Sequence, residues 1–171
     1  MDKIKLPTKK FWKKKKIFIT GHTSYKGTWL LIWLKELGAI IKGYSNSYPS
    51  YPISLSQLLF KKKIKKSHNI LNYKNILNEL KKFNPQIVFH MAAESIVSES
   101  NKNPLKTFKT NIIGTANLIE ACSNVESIEI IVIITTDKCY EENDKVISFN
   151  ENSILGGSEP YSASKASAEI V

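Results

Sequence analysis

A tyrosine and a lysine four positions apart, Tyr161 and Lys165, are the residues of this sequence that most directly suggest chemistry. Side chains at positions i and i+4 of a helix lie on the same face. A nearby ammonium group lowers the pKa of a phenol from its reference value of about 10, so a phenolate becomes accessible near neutral pH. Such a pair is common by chance, and its meaning depends on what surrounds it.

A second polar cluster, Thr135 to Lys138, ends a very apolar stretch of the chain. Two hydroxyls, a carboxylate and an amine would stand there at the carboxyl end of a buried strand, where polar groups are more often functional than structural. The alternative is that Thr136 and Asp137 cap a helix or bond a loop. Tyr161 follows Thr136 by 25 residues, and this combination is far more specific than the Tyr-Lys pair alone.

A glycine-containing turn, residues 21–27, lies between the first apolar run and the first helical pattern. Its spacing is Gly-x-x-Gly-x-x-Gly, with Ser24 in place of the middle glycine. Backbone N–H groups of such a turn, together with a helix N-terminus, can hold a pyrophosphate. A plain tight turn is the alternative, but the strand–turn–helix context favours nucleotide binding. The candidate contacts are Gly21, His22, Thr23, Ser24, Tyr25 and Gly27.

Strand and helix patterns alternate along the chain and must position these residues. Apolar runs predict strands at 17–20, 39–43, 86–90 and 128–135, a further short strand near 66–70, and a loop at 45–56. Helices are predicted from Gly27 to Gly38, at 73–83, from 104 to about 123, and from 160 onward. In the first helix, the residues expected to share the buried face are Leu30, Trp33, Leu34 and Leu37.

This alternation predicts a doubly wound, Rossmann-like α/β domain, in which helices cover both faces of a parallel sheet. Ligands of such sheets bind beyond the carboxyl ends of the strands. The segment after the second strand carries no carboxylate for a ribose, so Ser45 is the candidate there and NAD is the first cofactor to consider. Ala92 and Ala93, after the strand at 86–90, would let a flat ring lie close to the backbone. Simple close packing is an equal alternative for them.

The positive charge of the chain is carried by lysine alone. All 25 basic residues are Lys, eight of them in residues 3–16, and the net charge is +10. Because arginine, which reads guanine edges, is absent, we expect solvated lysine stretches and no specific nucleic-acid partner. Salt-sensitive binding to polyanions stays open.

No apolar run is long enough for a membrane span, and Cys122 and Cys139 lack zinc-site spacing, so a cytoplasmic protein without a metal site is predicted.

These motifs together resemble the extended short-chain dehydrogenase/reductase superfamily and, within it, the CDP-glucose 4,6-dehydratases. The resembling stretches are residues 21–30, 90–93, 110–115, 135–140, 155–157 and 160–165. The specific part is Asp137-Lys138, because most nucleotide-sugar 4,6-dehydratases have Asp-Glu there and most epimerases have neither.

The resemblance implies an NAD-dependent internal redox reaction that converts CDP-glucose to CDP-4-keto-6-deoxyglucose. Tyr161 would take the proton of the sugar O4 hydroxyl while hydride leaves C4, with Thr136 bonded to the same hydroxyl. Asp137 would protonate the departing C6 hydroxyl, Lys138 would stand in the place of the base for C5, and Lys165 would hold the ribose and tune the phenol. The resemblance further places at the cofactor the residues Asn69, Ile70 and Asn111.

The likeness runs from about Phe11 to Val171 and implies an N-terminal half only. It predicts a basic arm at 1–16, an incomplete dinucleotide-binding domain at 17–171 that stops inside the helix of Tyr161 and Lys165, and no C-terminal substrate-binding domain. Residues 130–134 would then form an exposed, sticky sheet edge. The implied partners are a nucleotide sugar, a second copy or a separately encoded C-terminal half, and no membrane. A related epimerase or reductase and a non-catalytic nucleotide-binding remnant are the alternatives.

Overall fold

Four strands of the described residues form one parallel sheet. The computed structural model describes residues 8–46, 68–141 and 148–171. The strands are β1 (Lys16–Thr20), β2 (Ile40–Tyr44), β3 (Ile87–His90) and β4 (Ile130–Ile133). Their order is β2-β1-β3-β4. The chain therefore first adds β2 on one side of β1 and then adds β3 and β4 on the other side. The carboxyl ends of β1 and β3 therefore flank the switch point of the sheet, where ligands of such folds bind.

Seven α-helices connect and flank the strands within the described ranges. They are α1 (Lys9–Trp12), α2 (Tyr25–Glu36), α3 (Tyr73–Phe83), α4 (Val97–Lys102), α5 (Pro104–Phe108), α6 (Gly114–Ser123) and α7 (Pro160–Ile170). A π-helical turn, Lys109–Ile113, joins α5 to α6, and a 3₁₀ turn spans Asp137–Cys139. The predicted end of α3 is confirmed, since Asn84 has a left-handed φ of 54° just before Pro85.

Helices cover both faces of the sheet, which confirms the doubly wound fold. On one face Phe18 and Val88 pack in a buried cluster with residues of α3 and α6, such as Ile76 and Leu118. On the other face, the strand residues that alternate with them pack against α2 and against Trp12. Residues on either side of a strand thus enter two separate cores, as expected where near-continuous apolar strands are buried on both faces.

The predicted buried face of α2 is wrong in part. Leu34 is buried, but Trp33 is 66% exposed and Leu31 takes its place in the core. Leu30 and Leu37 are half-buried. Apolar residues of α2 occur on most sides of the helix, so their spacing does not identify one buried face.

The predicted strand near 66–70 is also not found. Of that segment, residues 68–70 are described, and they form no strand. Asn69 and Ile70 lie in a turn that leads into α3, closed by a hydrogen bond from the Asn72 N–H to the Asn69 carbonyl at 3.0 Å. Most of the predicted loop at 45–56 lies outside the described residues.

Strand β4 forms one edge of the sheet in the part of the chain that is described. It is shorter than predicted, four residues against eight, and pairs with β3. Ile130 is 42% exposed, while Ile131 and Ile134 are each 36% exposed. The predicted apolar edge is thus present. Across residues 8–46, 68–141 and 148–171, no helix combines the length and apolar character that crossing a bilayer requires.

Candidate functional site

The turn between β1 and α2 is pressed against the end of β3. Gly21 has a φ of 67°, and a Cβ there would lie 2.6 Å from the backbone of Met91 and Ala92. Gly27 is as confined, because its Cβ would lie 2.3 Å from the Gly21 carbonyl oxygen. Both glycines are therefore required by close approach of backbone, which holds the first turn of α2 at the switch point.

Ser24 stands where the glycine spacing would place the middle glycine, and it is the N-cap residue of α2. Its backbone is extended, with φ of −67° and ψ of 166°, so the position does not need glycine's conformational freedom. Its Oγ accepts a hydrogen bond from the Gly27 N–H at 3.1 Å. First-turn N–H groups have no partner inside their helix, and they are the donors that bind anions there. Ser24 satisfies one of these donors itself.

His22 lies over the end of β2. A Cβ on Gly43 would meet the His22 ring at 2.5 Å, and the His22 Nδ1 is 2.9 Å from the Ser45 Oγ. Burial lowers the pKa of His22 to about 4, with a smaller contribution from the charge of His68. At pH 7 the imidazole is therefore neutral. His22 and Ser45 form one uncharged polar group at the position where a Rossmann-like domain binds a ribose.

Asn69 and Ile70 lie beside the same end of β2. The Asn69 carbonyl accepts a hydrogen bond from the Tyr44 hydroxyl at 3.0 Å, and its Oδ1 accepts one from the Leu71 N–H at 2.9 Å. Ile70 packs closely on α6, since a Cβ on Gly114 would come within 2.7 Å of it. The Asn69 side chain is thus engaged in its own turn, while its main chain supports β2.

Asn111, in the π-helical turn, fixes the segment that follows β3. Its Nδ2 donates to the Glu94 carbonyl at 3.0 Å and to the Ser164 Oγ at 2.8 Å, and its Oδ1 accepts from the Glu94 N–H at 2.9 Å. Asn111 is buried, whereas Ala92 and Ala93 just before Glu94 are partly exposed. It therefore ties the partly exposed segment after β3 to α7. Turns of π-helix occur frequently at functional sites.

Helix α7 carries Tyr161 and Lys165, and Glu159 caps its first turn. The Glu159 carboxylate accepts hydrogen bonds from the N–H of Tyr161 at 2.6 Å and from the N–H and hydroxyl of Ser162 at 2.8 and 2.7 Å. Burial raises the pKa of Glu159, but these hydrogen bonds outweigh it, and the pKa lies below its usual value. Sequence analysis missed this cap, whose signal is an acidic residue directly before a proline that opens a helix.

Lys165 is buried beneath the carboxyl end of β4. Its side chain is 8% exposed, and its Nζ donates to the Ile134 carbonyl at 2.9 Å, which uses one of the three N–H bonds of an ammonium. Burial lowers the pKa of Lys165, against an opposing contribution from Glu169. Tyr161, one helical turn earlier, is half-buried. The predicted Tyr-Lys pair thus has its amine inside the fold and its phenol at the surface of the site.

The polar cluster after β4 forms the 3₁₀ turn, which packs against α7. The Thr136 Oγ1 donates to the Asp137 carboxylate at 3.1 Å and accepts from the Lys138 N–H at 3.3 Å. The capping role considered as the structural alternative is therefore present. The side chains of Asp137 and Lys138 are exposed, and Lys138 lines a cavity of about 360 Å³ together with Gly157 and Ser162.

The residues at this edge fit a dinucleotide. The glycine turn offers backbone N–H donors at the start of α2, Lys165 offers a buried ammonium, and Tyr161 offers a phenol on the helix that carries that ammonium. In the described ranges, no group of three or more His, Cys, Asp or Glu side chains is placed to hold a metal ion. Backbone N–H donors, the uncharged pair of His22 and Ser45, and the phenol of Tyr161 therefore lie at the carboxyl end of the sheet.

The strand order, the glycine turn at the switch point and the Tyr-Lys helix at the same edge define a Rossmann-like domain of the extended short-chain dehydrogenase/reductase type. Residues 18–171 match the family described as GDP-mannose 4,6 dehydratase, and the chain belongs to that family. Relatives of this chain include nucleotide-sugar dehydratases and epimerases.

Comparison with individual proteins confirms the predicted resemblance to CDP-glucose 4,6-dehydratases. The chain is 43% identical over 165 residues to CDP-glucose 4,6-dehydratase of Salmonella typhimurium, covering 95% of this chain and 46% of that protein. It is 34% identical over 171 residues to dTDP-D-glucose 4,6-dehydratase of Dictyostelium discoideum, covering 90% of this chain and 38% of that one. The chain thus spans less than half the length of these two relatives.

Among solved structures, the fold is similar to that of UDP-glucose 4-epimerase from Thermotoga maritima with UDP-glucose. The TM-score is 0.78 at 26% sequence identity, with coverage of 91% of this chain and 49% of the epimerase chain. The architecture described above is therefore shared with this epimerase.

Proposed function

We propose that this chain forms the cofactor-binding and catalytic-base part of a nucleotide-sugar 4,6-dehydratase that acts on CDP-glucose with NAD. The observation that carries the proposal is the packing of the helix of Tyr161 and Lys165 against the Asp137–Cys139 turn, which follows β4 in the same parallel sheet whose switch point carries the glycine turn. The relationship to a CDP-glucose 4,6-dehydratase over nearly the whole chain supports CDP-glucose as the substrate.

The dinucleotide would be held by the glycine turn and Lys165 and, when bound, supplies a hydride acceptor and donor. Neutral His22 beside Ser45 offers no positive charge to a 2′-phosphate, which favours NAD over NADP. The complete set of proposed contacts is Gly21, His22, Thr23, Ser24, Tyr25, Gly27, Ser45, Asn69, Ile70, Ala92, Ala93, Asn111, Tyr161 and Lys165.

The proposed chemistry at the sugar requires two acid–base centres. Tyr161 acts as the base that accepts the O4 proton while C4 loses a hydride and becomes a ketone, and Thr136 bonds the same oxygen. The ketone acidifies the C5 proton, and Lys138 stands in the place of the base that removes it. Asp137 protonates the C6 oxygen, which leaves as water. C6 then regains the hydride and C5 a proton, so the sugar loses one water in total.

The experiment that tests this reaction uses CDP-glucose deuterated at C4. Incubation with NAD⁺ of the whole enzyme, of which this chain forms the cofactor-binding and catalytic-base part, is expected to give a product one water lighter that carries the deuterium at C6, detected by mass spectrometry and NMR. Tyr161→Phe removes the base and is expected to slow the reaction by about 10²–10⁴-fold. UDP-glucose and GDP-mannose serve as comparison substrates. Retained mass, or deuterium lost to solvent, would contradict internal hydride transfer.

A nucleotide-sugar 4-epimerase is the second candidate, favoured by the fold similarity to such an enzyme. Epimerisation inverts a hydroxyl and leaves the mass of the sugar unchanged, so the same assay distinguishes the two reactions. The adjacent acid and amine of Asp137 and Lys138 support elimination of water, which an epimerase does not perform.

A further inference from the structure

A chain of buried hydrogen bonds joins the ends of β1 and β3 to helix α6. Thr20, His90 and Thr115 are 0%, 3% and 2% exposed. The Thr20 Oγ1 lies 2.7 Å from the His90 Nδ1, and the Thr115 Oγ1 lies 2.9 Å from the His90 Nε2. The imidazole therefore bridges two hydroxyls across the interior, directly beneath the switch point.

Counting the available protons fixes the direction of each hydrogen bond that links Thr20, His90 and Thr115. The Thr115 hydroxyl donates its one proton to the Asn111 carbonyl at 2.6 Å, so its oxygen must accept from the His90 Nε2–H. The Nδ1 is then an acceptor, and the Thr20 hydroxyl donates to it. The Thr20 Oγ1 in turn accepts from the N–H groups of Met91 and Ala92 at 3.1 and 3.2 Å, and the Met91 N–H is shared with the Thr20 carbonyl at 3.2 Å.

This arrangement fixes His90 as a neutral imidazole with its proton on Nε2. A protonated His90 would direct a second N–H at Thr20, whose oxygen already accepts two hydrogen bonds. Burial and, to a smaller extent, the charge of Lys165 together lower the pKa of His90 to about 4, so the neutral form is the stable one at pH 7.

We infer that Thr115 is a positioning residue for the nucleotide-binding edge, acting through His90 and Thr20 on the backbone of Met91 and Ala92. These two N–H groups lie where the chain leaves β3, against the Gly21 turn. Thr115 holds the tautomer of His90, His90 orients the Thr20 hydroxyl, and Thr20 holds the main chain that the cofactor rests on. The inference depends on the proposed function for one point only, namely that the ligand bound at that edge is NAD.

The first test needs no ligand. Nitrogen NMR of the folded protein at pH 7 is expected to show His90 with a proton on Nε2 and a bare Nδ1. Thr115→Val removes the acceptor without changing the shape of the side chain, so the single tautomer is lost and the amides of Met91 and Ala92 exchange with solvent about tenfold faster. Thr115→Ser keeps the hydroxyl and is expected to restore both signals.

Thr107→Val is the matched control, because Thr107 is 1% exposed and its hydroxyl also bonds a carbonyl four residues back, that of Asn103 at 3.2 Å. It is expected to leave His90 and the two amides unchanged. An Nδ1–H tautomer in the wild-type protein, or exchange in Thr115→Val equal to that in Thr107→Val, would overturn the inference.

A second readout is the affinity for NAD⁺, measured by calorimetry. Thr115→Val is expected to weaken binding by about fivefold, the equivalent of one hydrogen bond, while Thr115→Ser and Thr107→Val bind like the wild type. Equal affinity of Thr115→Val and wild type would contradict the link to the nucleotide edge. Absence of NAD⁺ binding by the wild type would instead contradict the proposed function, and the tautomer and exchange measurements would still decide the inference.

Discussion

We expect Gly21→Ala to lower the free energy of unfolding by ~3 kcal/mol or more and to weaken NAD⁺ binding by at least about tenfold. The new Cβ would sit 2.6 Å from the backbone of Met91 and Ala92, and the φ of 67° is strained for alanine. These contacts are with backbone atoms, which cannot move aside as a flexible side chain can. The glycine turn itself must therefore move away from the switch point. Thermal unfolding and calorimetric titration with NAD⁺ measure the two effects.

Gly38→Ala is the matched control for this prediction. Gly38 also has a positive φ, 87°, but its Cβ would meet the nearest atom, the Lys13 Cα, at 3.6 Å, an ordinary contact. It should therefore cost only the conformational strain of ~1–2 kcal/mol and leave NAD⁺ affinity unchanged. If Gly21→Ala proved no more destabilising than Gly38→Ala, the close approach of the turn to β3 would be wrong.

A second large effect is expected in acid. The pKa of His90 is lowered to about 4 by burial and by the charge of Lys165, against 6.5 for an exposed histidine. The unfolded chain therefore binds a proton between pH 6.5 and 4 that the folded chain does not. The associated stability is fully present above pH 6.5 and is lost as the pH falls towards 4, with up to ~3 kcal/mol lost for His90. His22, whose pKa is also lowered to about 4, acts in the same direction.

Urea unfolding between pH 7 and 4 measures this loss, and His90→Gln separates the two histidines. Near pH 5 the wild type should take up about two protons on unfolding from these groups, and the variant about one. Direct NMR titration of the folded protein gives the same answer without a variant. A His90 that titrates near pH 6.5 in the folded state would contradict both its burial and the direction of its hydrogen bonds.

The fold was largely predictable from local patterns. Alternating apolar runs and helical periods located β1, β2, β3 and α3 to within about a residue, because each depends on its own sequence and on burial of its own face. The face of α2 was not predictable, since Trp33 and Leu31 are both large hydrophobic residues and only the position of the sheet decides which one is buried.

The site was predictable only in part, for a different physical reason. Gly21, Tyr161 and Lys165 belong to short motifs and could be located by spacing. The hydrogen bonds that hold the site together join residues far apart in sequence, such as Thr20 and His90, 70 positions apart. No local pattern encodes such a pairing, which exists only after β1 and β3 align. Ser24 could be seen as a departure from the glycine spacing, but its role as the cap of α2 required the backbone geometry.

The central claim is that this edge of the sheet binds a nicotinamide dinucleotide, and the nucleotide content of the purified protein tests it most directly. The protein is denatured, and any released nucleotide is identified by mass spectrometry and quantified against protein concentration. Nucleotide-free protein is then titrated with NAD⁺ and NADP⁺. We predict NAD in near-stoichiometric amount, or saturable uptake of NAD⁺ in preference to NADP⁺. A folded protein that neither retains nor takes up either dinucleotide would contradict the account.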